Sequence, residues 1–148
     1  MNHKDKKETY PVKIIFKGCA KGTALVTRDS LSFWGGIDAS SGIIKDVHHE
    51  LNGQSIKNRI FFFPRGAGSS SGCGVIMEMV RCNTNPAAII NIEIESILAL
   101  GPIIAEELYH RSFPMVNIEE SVFKLIQTGD YIEIDADKGY LMRTKKMI

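Results

Sequence analysis

The segment Pro64-Arg65-Gly66-Ala67-Gly68-Ser69-Ser70-Ser71-Gly72-Cys73-Gly74 sets three hydroxyls and four glycines between two apolar runs. Upstream, Ile60-Phe61-Phe62-Phe63 reads as a short buried strand, and downstream Val75 to Val80 reads as the start of a helix. A glycine-rich passage from strand to helix presents free backbone N–H groups beside a positive dipole end, which suits a carboxylate or phosphate. The hydroxyls can donate to that anion or, once activated, carry a proton. Arg65 is a candidate carboxylate clamp. Gly66, Gly68, Ser70 and Ser71 are candidate anion-binding positions. The alternative reading of the same cluster is a polar loop whose serine caps the helix.

The rest of the chain does not complete an active site. The serines are consecutive, so there is no Gly-x-Ser-x-Gly elbow, and no Gly-Lys-Ser/Thr follows the glycines as a phosphate loop requires. Asp29, Asp38, Asp46 and Glu78 offer carboxylates, but each also suits a capping or solvated role. Phe33-Trp34-Gly35-Gly36 places a bulky aromatic beside two glycines, as in a pocket wall or an interface; the competing reading is core packing. An anion turn without a self-sufficient catalytic set points to half an active site, completed by another chain.

Composition narrows the setting. The 148 residues suit one domain, and a 44% hydrophobic content can fill its core. With 18 basic and 17 acidic side chains, the formal charge of +1 gives no electrostatic case for nucleic acid or an anionic membrane. No segment has the run of about 20 apolar residues that spans a bilayer, and a cytoplasmic location is expected. Cys19, Cys73 and Cys82 are scattered, and His3, His48, His49 and His110 form no ligand spacing with them, so no metal site is expected from this chain alone. His48 and His49 read as loop polarity.

The elements that must position the turn follow from periodicity. Residues 1–10 are polar and are expected to form a flexible tail, with a single domain over 11–148. Val12 to Phe16, Thr23 to Thr27, Pro86 to Ile92 and Pro114 to Val116 read as strands, and Ile103 to Tyr109 and Ile118 to Gln127 as helices, with Leu98 to Gly101 a connection. Asp130 to Asp135 and Tyr140 to Met142 form a hairpin around Asp137-Lys138-Gly139. The basic run Arg143 to Lys146 reads as a solvated end. The fold class is α/β, with a mixed sheet and flanking helices.

Several motifs in order carry a resemblance: Leu31 to Asp38, Gly53-Gln54-Ser55, Pro64 to Gly72, Pro86 to Ile90 and Leu100 to Glu106. Over about Lys13 to Tyr140 the chain resembles the small subunit of aconitase-X-type dehydratases. The resemblance implies a swivelling β/β/α domain like that of aconitase, packed against a large catalytic subunit with the active site between them. It also implies that the large subunit carries an iron or iron–sulfur centre, a Lewis acid for the leaving hydroxyl, and that the substrate is a small anion. By motif, the base that removes a proton next to a carboxylate is Ser69, with Ser70 and Ser71 behind it. Ala67 stands where many relatives have a basic residue. Two substrates belong to the family, cis-3-hydroxy-L-proline and (R)-5-phosphomevalonate. Phe33 to Gly36 and Glu106 to Tyr109 resemble the hydroxyproline group more, so that substrate is expected and phosphomevalonate is the alternative. A non-catalytic anion-binding or scaffold domain is the further reading.

Overall fold

The computed structural model describes residues 5–66, 72–93 and 96–146. The chain opens with strands β1 (Asp5–Pro11), β2 (Lys13–Phe16) and β3 (Cys19–Val26), followed by a distorted turn α1 (Phe33–Gly36) and a small hairpin of β4 (Ile37–Asp38) and β5 (Ile43–Ile44). Strand–helix alternation follows through β6 (Ile60–Phe62), α2 (Gly72–Cys82), β7 (Ala88–Asn91), α3 (Ser96–Tyr109), β8 (Met115–Asn117) and α4 (Glu120–Phe123). The hairpin β9 (Tyr131–Asp135) and β10 (Tyr140–Lys146) closes the chain.

Eight strands make one sheet in the order β1-β10-β9-β3-β6-β7-β8-β2. The run β3-β6-β7-β8 is parallel, whereas β1, β10, β9 and β3 pair antiparallel, as do β2 and β8. Only Val12 separates β1 from β2, yet these strands flank opposite ends of that order. The sheet must therefore curl until its two edges meet. Val12 marks the junction, where its N–H donates to the Gly139 carbonyl at 3.0 Å.

Two cores result, one on each face of the parallel strands. Leu25, Phe61, Phe63, Ile89 and Met115 pack with Ile76, Met79 and Val80 of α2 and with Leu98, Ala99 and Ala105 of α3. Ala24, Ile60, Phe62, Ala88, Ile90 and Val116 face the other way, onto Ile132, Ile134 and Leu141 of the curled hairpin and Val122, Phe123 and Ile126 around α4. Strands covered on both faces need continuous apolar sequence, and the runs at Ile60 to Phe63 and Ala88 to Ile90 have it.

Four expectations are corrected. Residues 5–10 belong to β1, paired along β10, and are not an unanchored tail. Arg143, expected in a solvated end, is 3% exposed: its Nη1 donates to Glu8 at 3.1 Å and its Nε to Asp130 at 2.8 Å. A buried guanidinium needs such partners, and they fasten β1 to β10 and to the entry of β9. The helix expected over residues 118–127 shrinks to α4, because Leu125 and Ile126 donate three residues back in tighter turns.

The fourth correction concerns Leu98 to Gly101, which lies inside α3 together with Pro102. Gly101 is there for proximity rather than as a stop: a Cβ on it would lie 2.7 Å from Ile76 Cγ2 and 3.2 Å from the Cys73 carbonyl oxygen of α2. Gly101→Ala is expected to destabilise the fold by about 1–3 kcal/mol in chemical denaturation through overpacking, exceeding the gain of up to about 1 kcal/mol in helix propensity. A more stable variant would show that α2 and α3 are free to separate.

Candidate functional site

Parallel strands deliver their carboxyl ends to one rim of the sheet, the usual place for a ligand in such folds. There β6 runs out through Phe63, Pro64, Arg65 and Gly66, and backbone bonds fix its exit. Phe63 N–H donates to the Ile90 carbonyl at 3.1 Å, and Ile92 N–H to the Pro64 carbonyl at 3.0 Å. Asn91, 1% exposed at the end of β7, donates its side-chain Nδ2 to the Phe63 carbonyl at 2.8 Å. Gly66 then bridges Leu31 in parallel register. On the far side of the turn α2 starts at Gly72, with no acidic residue in its first turn to offset the dipole.

Gly68, Ser69, Ser70 and Ser71 lie outside the described residues, as does Ala67. The frame that holds them is described on both sides. The segment 31–36 runs past it: Leu31 pairs with Gly66, and a Cβ on Gly72 would lie 3.6 Å from Phe33 Cβ and 3.3 Å from Leu98 Cδ1. Hence segment 31–36, distant in sequence, lies beside both Gly66 and Gly72, the described ends of that frame.

Their members play different parts. Phe33 is core, 2% exposed, with its ring centroid 5.6 Å from that of Phe63. Trp34 is 61% exposed, too open to wall a pocket within this chain. Gly35 is required by its backbone, at φ +81°, with nothing near a Cβ; Gly36 lies close to Leu31 instead. The exposed apolar side chains Ile97, Leu100, Ile103 and Leu108 give α3 an uncovered stripe among the described residues.

Arg65, expected as a clamp, is paired through Nη2 with Glu93 Oε1 at 2.9 Å, both side chains being exposed. That hydrogen bond and the Glu93 charge raise the guanidinium's affinity for its proton, so it stays cationic. Next to it, the chain leaving β3 is pinned by Thr27, whose hydroxyl donates to Glu50 Oε1, while Arg28 N–H donates to the same oxygen at 3.2 Å. The Thr27 hydroxyl is the main cause that holds the Glu50 carboxyl below its usual range. His48 is exposed. His49 is buried, accepting at Nδ1 from Leu51 N–H at 3.0 Å, so its role is structural rather than loop polarity.

The described residues do not suit an iron–sulfur centre at this corner. Cys73 is the one cysteine beside the turn, at the start of α2, and Cys82 ends that helix. The cluster that could grip a cation, Cys19, Asp135 and Asp137, lies at the amino end of β3, across the sheet from the rim. Desolvation, followed by the two carboxylates, raises the Cys19 thiol above its ordinary value, which disfavours the thiolate a metal needs.

Sequence reading found the turn, Arg65 and the aromatic motif. It missed Asn91, Thr27, Glu50 and Arg28, whose roles depend on strands meeting across the sheet. The one available signal was a polar Asn91 ending an apolar strand.

A curled mixed sheet with α2 and α3 packed on one face and α4 on the other, its glycine–serine segment joining the carboxyl end of β6 to α2, defines a swivel-type α/β domain. The chain belongs to the aconitase X swivel domain family, whose pattern matches residues 9–143. It is 37% identical over 136 residues to the phosphomevalonate dehydratase small subunit of Methanosarcina acetivorans, covering 88% of this chain and 90% of that one. The Thermococcus sibiricus protein of the same name is 42% identical, with 84% and 90% covered. The cis-3-hydroxy-L-proline dehydratase of Hypocrea jecorina is 36% identical over 118 residues, covering 80% of this chain but 20% of that much longer one. The crystal structure of Thermococcus kodakaraensis aconitase X in its holo-form superposes with a TM-score of 0.84 at 36% identity, covering 93% of this chain and 99% of that one. These relatives support phosphomevalonate better than the hydroxyproline expected from the motifs.

Asn91→Ala leaves the Phe63 carbonyl without its buried donor and is expected to cost about 1–3 kcal/mol; backbone hydrogen exchange should rise at Phe63 and Ile92, and unchanged protection there would mean that the backbone bonds alone hold the exit. For Glu50 the lowered folded pKa gives a stabilising contribution that is complete above the unfolded carboxyl pKa and fades as pH falls through the folded one. Thr27→Val should therefore be less stable than the parent at pH 7, with the gap narrowing below about pH 4. Urea melts at both pH values check this; a gap independent of pH would assign the loss to packing.

Proposed function

We propose that this chain is the small subunit of a two-chain aconitase-X-type hydro-lyase and that its substrate is (R)-5-phosphomevalonate. The observation that carries the reading is the glycine–serine turn, set between the end of β6 and the start of α2 in a chain that spans 90% of relatives named as small subunits of phosphomevalonate dehydratase. Full-length similarity to separate small subunits favours that substrate over cis-3-hydroxy-L-proline, whose named relative is a longer single chain.

In this reading Ser69 is the base. Its oxygen takes the proton from the carbon beside the substrate carboxylate, the C–H electron pair becomes the new double bond, and the hydroxyl on the next carbon departs as water by taking a proton from an acid on the partner's side of the site. A serine oxygen is a poor base at its ordinary pKa, so it needs positive potential around it. The amino end of α2 and the Arg65 guanidinium supply that potential from this chain. The carboxylate is assigned to the glycine–serine segment, since a glycine-rich passage into a helix N-terminus offers backbone N–H groups to an anion. The iron or iron–sulfur centre is assigned to the large subunit. Trp34 and the apolar stripe of α3 are the faces we assign to that partner, since exposed apolar surface of this extent marks an interaction site.

Ser69→Ala should leave the melting transition nearly unchanged, within about 0.5 kcal/mol. It should lower turnover of the assembled complex by about 10²–10⁴. The complex, purified anaerobically with its co-eluting chain, is assayed on both substrates. Turnover of phosphomevalonate supports the reading, turnover of hydroxyproline alone corrects the substrate, and a lone inactive chain favours a binding or scaffold role.

A further inference from the structure

A second charged recess lies next to the turn, on the same rim. A cleft of about 250 Å³ is lined by Arg28, Pro64, Arg65, Ile92, Glu120, Phe123 and Lys124. Its floor is apolar: Pro64 and Phe123 are buried, and Phe62 holds Phe123 edge-on with ring centroids 6.2 Å apart, fixing α4 against β6. Three cations stand around that floor, brought from three parts of the chain. Arg28 follows β3, Arg65 follows β6, and Lys124 follows α4.

The charges nearby do not use these cations fully. Arg65 is shared with Glu93, and Lys124 lies 3.8 Å from Glu120, both members of that pair being about two-thirds exposed. Exposed pairs of this kind contribute little and exchange readily for a stronger anion. The Arg28 guanidinium has no ion pair within 4.0 Å among the described residues. Arginine forks over a partly dehydrated floor are the usual receptor for a phosphate monoester, which brings more charge and more acceptor oxygens than the glutamates it would displace.

We infer that Arg28 and Lys124, with Arg65 released from Glu93, form a subsite for the phosphate monoester end of the substrate. The inference rests on the phosphomevalonate reading above and extends it. The carbon that loses its proton and the phosphate lie at opposite ends of that five-carbon backbone. Along the chain, Pro64 and Arg65 line the cleft and the serines follow them within a few residues. The subsite also gives selectivity: a ring ammonium such as that of hydroxyproline would meet three like charges.

The test uses the assembled two-chain enzyme and, in parallel, the full small chain alone. Arg28→Ala and Lys124→Ala remove exposed side chains and should each raise KM for phosphomevalonate about tenfold, with kcat within about twofold. The double variant should exceed either single one. In the small chain, titration with inorganic phosphate should shift the side-chain NMR resonances of Arg28 and Arg65, and the Lys124→Ala variant should need more phosphate for the same shift. An unchanged KM in a complex that turns over phosphomevalonate overturns the subsite and leaves the dehydratase reading in place. A parent complex inert toward phosphomevalonate overturns the substrate reading instead. Phosphate-induced shifts at Arg28 would then still support an anion subsite, and their absence would overturn it.

Discussion

Burial of β6 on both faces is the constraint on which the rest of the structure depends. Phe61 and Phe63 point into the core under α2 and α3, while Ile60 and Phe62 point into the core closed by the hairpin and α4. A one-residue slip would exchange the two sets, so the register of this strand is strongly fixed. Its exit at Pro64 is fixed with it, so the chain enters the glycine–serine segment from an anchored position.

Closure of the sheet makes that double burial achievable in a chain of this size. The antiparallel half folds over the parallel half because β1 and β2 are consecutive but belong to opposite edges. The buried Arg143 with Glu8 and Asp130 ties β1, β10 and the entry of β9 together within the antiparallel half. Its desolvation offsets much of the Coulombic gain, but removal of either carboxylate would leave a buried guanidinium N–H without its acceptor, so the three groups specify the arrangement. Helices α2 and α3 cover the other face, and the close approach at Gly101 sets how deeply α3 lies against α2.

One rim of this scaffold therefore gathers groups of complementary chemistry. The end of β6 and the start of α2 frame the glycine–serine segment, the neighbouring cleft holds guanidinium and ammonium groups over an apolar floor, and Trp34 with the α3 stripe is exposed apolar surface. The candidate metal ligands Cys19, Asp135 and Asp137 are at the opposite end of β3. That separation suits a domain that binds and positions an anion while its chemistry is completed across an interface.

The sequence by itself determined the local pieces: the apolar runs at β6 and β7, the terminal hairpin and the ordered motifs of the family. These are legible because side-chain period, turn residues and motif spacing are local properties. It misjudged residues 5–10 and Arg143, whose polar composition looks solvated until the chain's two ends pair. It also misread Gly101, where glycine means proximity to Ile76 rather than a helix end. The tertiary structure alone decided that Arg28, Arg65 and Lys124 surround one cleft, that Asn91 holds the strand exit, and that Phe33 belongs to the core while Trp34 faces outward. Each of these depends on which strands become neighbours in a closing sheet, and that is set by the joint burial of both faces, not by any one segment.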